Sequence, residues 1–187
     1  MITLKEVKRK TLGLIEELNP ESVYLTDDPD IAAKFNDVAN QVMFELARIK
    51  KIPKYIEIDV TEGDILSFED IERECGYEVY QLGTVCGVKH SLKANGTVLK
   101  ILESGRAEID VFVYPERITD MTKDNYELEL SSDVLEIMPY GIAADLLKSD
   151  ASSDYGNIYA SRYEALKNML DPRYRTTSIY FEGGVNI

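Results

Sequence analysis

The two cysteines and the single histidine are the residues of this chain whose chemistry could bind a transition metal. Cys86 and His90 are four positions apart in a segment that alternates like a β-strand, so their side chains would lie on one face. Cys75 would have to supply a third ligand. Structural zinc sites normally have four ligands in closely spaced pairs. We therefore expect a buried cysteine and a half-buried histidine on a β-sheet, with no metal and no cofactor.

An acidic stretch in the middle of the chain could bind calcium or supply the two carboxylates of a glycosidase. The calcium-loop pattern is absent from it, and glycosidase chemistry depends on a carboxylate separation that spacing in sequence does not define. The stretch is more typical of a solvated strand face followed by an acidic loop. Its members are Glu57, Asp59, Glu62, Asp64, Glu69, Asp70, Glu72 and Glu74.

The overall charge argues against further functional classes. The 187 residues include 34 acidic and 21 basic side chains, a formal net charge of −13 at pH 7. Binding of duplex DNA or of an anionic membrane needs clustered lysine and arginine. The basic cluster in the first helix (Lys5, Lys8, Arg9, Lys10) could contact phosphate or an acidic partner, but it is more typical of a solvated helix face. A single histidine makes catalytic triads a poor interpretation, and we predict that the protein is not an enzyme.

The apolar pattern gives an expectation for the compartment. No apolar run approaches the roughly 20 residues that a membrane-spanning helix needs. The first ten residues are charged throughout, unlike the apolar core of a secretion signal. We therefore expect synthesis in a cytoplasm, reduced thiols and no contact with a membrane.

Two helices are predicted in the first 53 residues. Thr3 followed by Glu6 fits a capping box, and Asn19-Pro20 would end this first helix. Asp28-Pro29 would begin the second helix with an N-cap acid and a proline at the first helical position. Pro53 would follow its end.

Two more helices are predicted after residue 124. A cap at residues 131–133 would begin the first, in which Pro139 predicts a kink or a restart because proline lacks the backbone donor. A cap at residues 152–154 would begin the second, and Asp171-Pro172 would end it. Its predicted inward face comprises Tyr155, Ile158, Tyr159, Tyr163, Leu166 and Leu170.

Between the two helical pairs the hydrophobic period changes from helical to two, which is typical of strands. Residues 56–60, 86–92 and 107–113 show this alternation, and residues 98–102 would follow a turn as the return strand. Asn95-Gly96 is a strong hairpin signal because both residues tolerate positive φ. Several short strands at this spacing predict a small antiparallel sandwich or barrel.

The order of these elements predicts an α+β fold. A small helical bundle of about four helices would be interrupted by an antiparallel β-sandwich or barrel insertion and followed by an extended C-terminal tail. The bundle would be discontinuous, comprising residues 1–53 and 119–172, with the β insertion at 54–118 and the tail at 173–187. Prolines near both ends of the insertion suit a domain boundary.

The tail is the segment with the least ordinary composition. It is apolar and β-prone, and it contains two arginines in a chain that is short of basic residues. These properties favour addition of the tail as a strand to a neighbouring chain. Its candidate partner-binding residues are Arg173, Tyr174, Arg175, Ile179, Tyr180 and Phe181.

Three segments and the closing helix resemble the head–tail connector proteins of tailed bacteriophages, the adaptor or neck class. The segments are residues 114–119 (YPERIT), 126–130 (YELEL) and 136–147 (EIMPYGIAADLL). None of these motifs is catalytic. The closing helix is similar through Tyr155, Tyr159, Tyr163 and Leu166.

The resemblance implies a structural virion assembly protein of a phage or prophage. Its subunits would form an oligomeric ring that joins the portal protein to tail-completion proteins, with genome DNA passing through the lumen without sequence-specific contact. The implied location is the virion neck, after synthesis in the cytoplasm of the host bacterium. An acidic channel wall would repel duplex DNA, which is compatible with the charge of the chain.

An alternative is a binding module whose β insertion recognises carbohydrate or another protein. Aromatic side chains could form a stacking platform for such a ligand, although half or more of them are expected in the core. These residues are Tyr55, Phe68, Tyr77, Tyr80 and Phe112.

Overall fold

The computed structural model describes residues 2–148 and 154–170, and this part of the chain has a mixed α+β structure. It contains five α-helices and two three-stranded antiparallel sheets, and no closed barrel forms within it. The helices are α1 (Leu4–Leu14), α2 (Pro29–Ile49), α3 (Phe68–Cys75), α4 (Ser132–Leu147) and α5 (Tyr155–Asn168). The strands are β1 (Ile52–Val60), β2 (Ile65–Ser67), β3 (Val79–Cys86), β4 (His90–Lys93), β5 (Val98–Ile101) and β6 (Gly105–Val113).

The predicted starts of the first two helices are confirmed. Thr3 and Glu6 form the reciprocal capping box of α1, and the carboxylate of Asp28 accepts from two backbone N–H groups at the start of α2. The predicted end of α1 is wrong, because the helix ends at Leu14. Glu16 has a φ of +62°, and the Glu17 N–H donates to the Leu12 carbonyl over 2.9 Å. The residue with positive φ in such a closing turn is usually glycine, so the sequence with Glu16 at that position did not indicate the end of the helix.

The four longer helices contribute to one apolar core. Residues on both sides of the strands in sequence meet in it, including Leu4 of α1, Met43 of α2, Met138 of α4 and Tyr163 of α5. Tyr163 lies 6% exposed, and its hydroxyl donates to the Glu45 carboxylate over 2.8 Å. Burial, together with this hydrogen bond, raises the pKa of Tyr163, so the phenol remains a neutral donor at physiological pH.

Helix α4 is continuous through Pro139, contrary to the predicted restart. Ten of its sixteen residues are buried, so packing on several sides stabilises a helix that lacks one backbone hydrogen bond. Gly141 allows the closest approach, because a Cβ atom there would lie 2.9 Å from atoms of both Val42 and Tyr163. The absent side chain therefore lets α2 and α5 pack directly against α4.

The two sheets contribute to a second apolar core. One sheet has the strand order β1–β6–β3 and the other has the order β2–β5–β4. Ile109 and Val111 of the first sheet and Leu99 and Ile101 of the second are fully buried in this core. No helix in the described ranges is long and apolar enough to cross a membrane.

The predicted single strand at residues 86–92 is wrong, because the chain leaves one sheet at Cys86 and enters the other at His90. Gly87 makes this change of sheet possible. Its φ is +82°, and a Cβ atom there would lie 2.2 Å from the Arg106 carbonyl oxygen. The predicted hairpin after it is confirmed, since β4 and β5 pair in antiparallel register around residues 94–96.

Helix α3 lies where we expected an acidic loop. Ser67 and Asp70 form a reciprocal capping box at its start, and Gly76 ends it with a φ of +75°. The backbone N–H and the hydroxyl of Ser67 hold the pKa of the Asp70 carboxyl below its ordinary value. The short length of the helix, with Ile71 as its buried residue, explains why periodicity did not reveal it.

Three aromatic rings connect the two cores. Tyr114, which follows β6, has its ring centroid 4.8 Å from that of Phe44 on α2 and 4.7 Å from that of Tyr80 on β3. The Arg48 Nε donates to the Tyr114 hydroxyl over 2.6 Å, and the Tyr80 hydroxyl donates to the Ala47 carbonyl over 2.9 Å. We call Phe44, Arg48, Tyr80 and Tyr114 the aromatic junction.

Substitution Gly141→Ala is expected to destabilise the protein by about 1–3 kcal/mol, because the added methyl group overpacks the contact with α2 and α5. The matched control is Gly13→Ala on α1, where a Cβ atom has nothing within 4 Å. That control should be neutral or stabilising by up to about 1 kcal/mol. Urea unfolding followed by circular dichroism measures both, and equal effects at the two sites would contradict the packing argument.

Substitution Tyr80→Phe is expected to cost about 1 kcal/mol, because it leaves the Ala47 carbonyl without its donor at the aromatic junction. Tyr55→Phe is the control. Tyr55 is also on a strand, but it is 54% exposed and its hydroxyl donates to the exposed Glu57 carboxylate. The control should change the free energy of unfolding by less than about 0.5 kcal/mol. Denaturant titration measures the change in the free energy of unfolding for both variants, and equal changes would contradict the role of the buried hydrogen bond.

Candidate interaction surfaces

The three potential metal ligands do not form a site in the structure. Cys86 is exposed at the end of β3 rather than buried as expected, and His90 is half-buried at the start of β4. The Cys75 thiol is 3.4 Å from the Tyr77 carbonyl oxygen, and His90 Nδ1 is 3.2 Å from that of Val88. No group of three or more histidine, cysteine or carboxylate side chains suited to a metal occurs in residues 2–148 and 154–170.

The acidic stretch is divided among three elements rather than gathered into one centre. Glu57 and Asp59 lie on the exposed face of β1, while Asp64 accepts from the Thr61 N–H at 2.7 Å in the following turn. Glu72 accepts from the Val79 N–H at 2.8 Å. Several of these carboxylates therefore stabilise local turns and caps. The remaining members are Glu62 in the turn, and Glu69, Asp70 and Glu74 on α3.

The aromatic residues of the insertion do not share an open platform. The Tyr77 ring has the Lys54 Nζ 4.0 Å from its centroid, and its hydroxyl donates to Glu129. Phe112 is 8% exposed, with the Lys51 Nζ 4.6 Å from its centroid. Tyr80 belongs to the aromatic junction. Of the five residues, Tyr55 is exposed and Phe68 is half-buried.

The basic cluster of α1 is mostly a solvated helix face. Lys5, Arg9 and Lys10 are exposed. Lys8 is half-buried and forms an ion pair with Asp124 at 3.1 Å, which connects α1 to the segment before α4. Lys8 is therefore the member of this cluster that forms a tertiary ion pair.

A groove of about 600 Å³ lies between α1, the segment after it, α2 and the turn at residues 119–122. Its lining is mixed, with Lys8, Asp28 and Asp120 beside Phe35 and Ile31. No sequence motif indicated this groove, because its walls come from four separate segments. The sequence indicates the groove only through the apolar residues of the two loops that border it.

Exposed apolar side chains border this groove. Val23 and Tyr24 are 86% and 67% exposed in the segment before α2. Met121 is 92% exposed and lies between two groove-lining residues, Asp120 and Thr122. We call Val23, Tyr24 and Met121 the loop patch. Exposed apolar residues on two loops that border one groove make this region a candidate contact with another macromolecule.

Further exposed apolar residues lie on other elements. Ile65 and Leu92 are exposed on β2 and β4, and Tyr155 and Ile158 are exposed on the first turn of α5. The expectation that Tyr155 and Ile158 face inward is therefore wrong, whereas Tyr163 of the same helix is buried. The candidate partner-binding residues of the tail lie outside the described residues. These are Arg173, Tyr174, Arg175, Ile179, Tyr180 and Phe181.

No protein-family model matches this chain, and no curated protein sequence is significantly similar to it.

Proposed function

We propose that this protein is a structural subunit of a phage or prophage head–tail connector, which joins the portal to the tail through an oligomeric ring. The observation that carries the proposal is the position of the resembling segments. Residues 114–119, 126–130 and 136–147 and helix α5 contribute Ile118, Leu128, Met138 and Tyr163 to one helical core. The segments that resemble the connector class thus support a shared scaffold rather than a set of catalytic groups.

The order of the elements supports the same proposal. Helices α1 and α2 precede the strands and helices α4 and α5 follow them, yet all four contribute to one core. We interpret these four helices as a small bundle, and the two sheets with α3 as a sandwich-like insertion. In the connector class that the three segments resemble, a few helices form a bundle and some members carry a β insertion, so this interpretation supports the proposal.

The distribution of exposed apolar side chains also favours an assembly subunit. A ring subunit contacts two neighbouring copies and, in a connector, further proteins above and below the ring. The loop patch lies beside α2, Ile65 and Leu92 lie on the second sheet, and Ile158 lies on α5. Several separate apolar surfaces suit several partners better than they suit one small ligand.

The charge of the described residues suits a protein that lets DNA pass without binding it. Glu108 and Asp110 alternate on the exposed face of β6, opposite Glu57 and Tyr55 of β1. A wall of this kind would repel duplex DNA in the lumen of a ring. The carbohydrate-binding alternative has less support, because lysine side chains cover two of its five aromatic rings and a third ring lies in the aromatic junction.

Mass measurement tests the proposed assembly. Purified protein is expected to form a ring alone or after mixing with the portal and tail-completion proteins of the same phage or prophage. Light scattering after size exclusion gives the stoichiometry, and negative-stain electron microscopy shows the ring. A protein that remains monomeric with both partners present would contradict the proposal.

The substitution Met121→Ser is expected to weaken binding to one of these partners by about tenfold, because a central apolar contact contributes more than about 1 kcal/mol when it is buried. The residue is 92% exposed, so folding stability should change by less than about 0.5 kcal/mol. Met169→Ser is the matched control, since Met169 is 79% exposed and lies away from the loop patch. Biolayer interferometry on immobilised partner measures both affinities, and equal affinities would exclude the loop patch as a contact.

A further inference from the structure

The outer edge of β1 is a long strand edge that has no strand partner among the described residues. β1 is terminal in the order β1–β6–β3, and it pairs with β6 in unbroken register over nine residues. The opposite edge, β3, has two register irregularities, and the strands β2 and β4 have three and four residues. Backbone groups on such an edge can pair with an added strand. Pro53 is the single β1 residue without an N–H group to donate.

The exposed face beside this edge is strongly acidic. Glu57 and Asp59 point to it from β1, and Glu108 and Asp110 point to it from the neighbouring β6. Arg106 forms an ion pair with Glu57 and so balances one of these four carboxylates. A second acidic strand would be repelled here, whereas a basic strand would be attracted.

The charge pattern of residues 173–181 complements this face. The sequence RYRTTSIYF has nine residues, two arginines and no carboxylate, in a chain of net charge −13. Its threonine, isoleucine, tyrosine and phenylalanine favour an extended conformation. Arg173 and Arg175 are two positions apart and would lie on one face of a strand, with the same spacing as Glu57 and Asp59.

We propose that residues 173–181 of a second copy of this chain add antiparallel to the outer edge of β1, with Arg173 opposite Asp59 and Arg175 opposite Glu57. The same register places Thr177 opposite Tyr55 and Ile179 opposite Pro53. Both arginines then face carboxylates, and the apolar end of the segment meets the less acidic start of β1.

The position of Leu170, the last residue that the structure describes, favours a second copy as the donor. Leu170 lines the same groove as Lys50, which is two residues before β1 begins. Asp59 lies toward the far end of the strand, about 23 Å from Ile52 at about 3.3 Å per residue. Three residues span at most about 10 Å, so Arg173 of the same chain cannot reach Asp59 from Leu170.

Pairing within one chain would have to run parallel to β1. It would place Arg173 and Arg175 beside Pro53 and Tyr55, and the apolar residues Ile179 and Phe181 near the acidic end. The charges therefore favour the antiparallel arrangement between copies.

This interaction gives each copy one donor segment and one acceptor edge. Such a heterologous contact forms a ring when the rotation between copies closes. The inference rests on the self-association in the proposed function, but it does not depend on binding to a portal or a tail protein.

Disulfide trapping in the full chain tests the contact. In a background with Cys75→Ser and Cys86→Ser, one copy carries Tyr55→Cys and another, with a different tag, carries Thr177→Cys. Cross-strand neighbours are close enough for a disulfide. Mixing the copies under mild oxidation should give at least about five times more mixed dimer than a control in which Lys10→Cys, at an exposed position of α1, replaces Tyr55→Cys. Equal yields would overturn the proposal.

A chain that carries both Tyr55→Cys and Thr177→Cys distinguishes the two possible donors. Linked multimers are expected from it. A disulfide within one chain, with no mixed dimer from the single variants, would overturn the assignment to a second copy.

Charge reversal tests the register in the same trapping assay. Asp59→Lys in the acceptor copy, or Arg173→Glu in the donor copy, should each lower the yield of mixed dimer about fivefold. Combining the two reversals should restore at least half of the original yield. Unchanged yields, or no recovery in the combination, would contradict the proposed pairing.

The outcomes separate this inference from the proposed function. Trapping with no binding to portal or tail proteins would contradict the connector function alone. Ring formation on a portal without trapping would contradict the strand addition alone.

Discussion

The packing of the Tyr114 ring against the rings of Phe44 and Tyr80 is the contact on which the relation between the two cores depends. Phe44 belongs to α2, the helix before β1. Tyr80 lies on the edge strand β3, and Tyr114 directly follows β6, the last strand. The Arg117 guanidinium lies over the Phe44 ring, 4.8 Å from its centroid. Because the rings and the Arg48–Tyr114 hydrogen bond are partly desolvated, the junction restricts rotation between the helices and the sheets.

Much of the α+β pattern could be predicted because local signals agree with the final packing. The caps at Thr3 and Asp28 act through neighbouring backbone groups, so residue type and spacing were sufficient. Gly87 is different, since its importance depends on the Arg106 carbonyl nineteen positions later in the chain. The continuity of α4 through Pro139 likewise depends on burial against other helices. These features arise from tertiary contacts, which composition and periodicity do not contain.

The candidate surfaces likewise include features that local sequence predicts and features that depend on tertiary contacts. The acidic strand face of β1 was recognisable from its alternation. The loop patch was not recognisable, because Tyr24 and the residues on either side of Met121 are far apart in sequence and line one groove only in the folded protein. The surroundings of two aromatic rings were not recognisable for a related reason. Lys51 lies over the ring of Phe112 and Lys54 over the ring of Tyr77, and both contacts depend on strand placement.

Most of helix α4 is buried, so it has little free surface for contact with a partner. In α4, Leu135, Met138 and Ile142 are buried, and Gly141 is needed for close packing. Substitutions there act mainly through stability, since they alter a core shared by four helices. In the connector function that we propose, partner choice would depend on exposed elements, namely the loop patch and the edge of β1. Because those elements lie outside residues 136–147, proteins that share this helical scaffold could contact different neighbours.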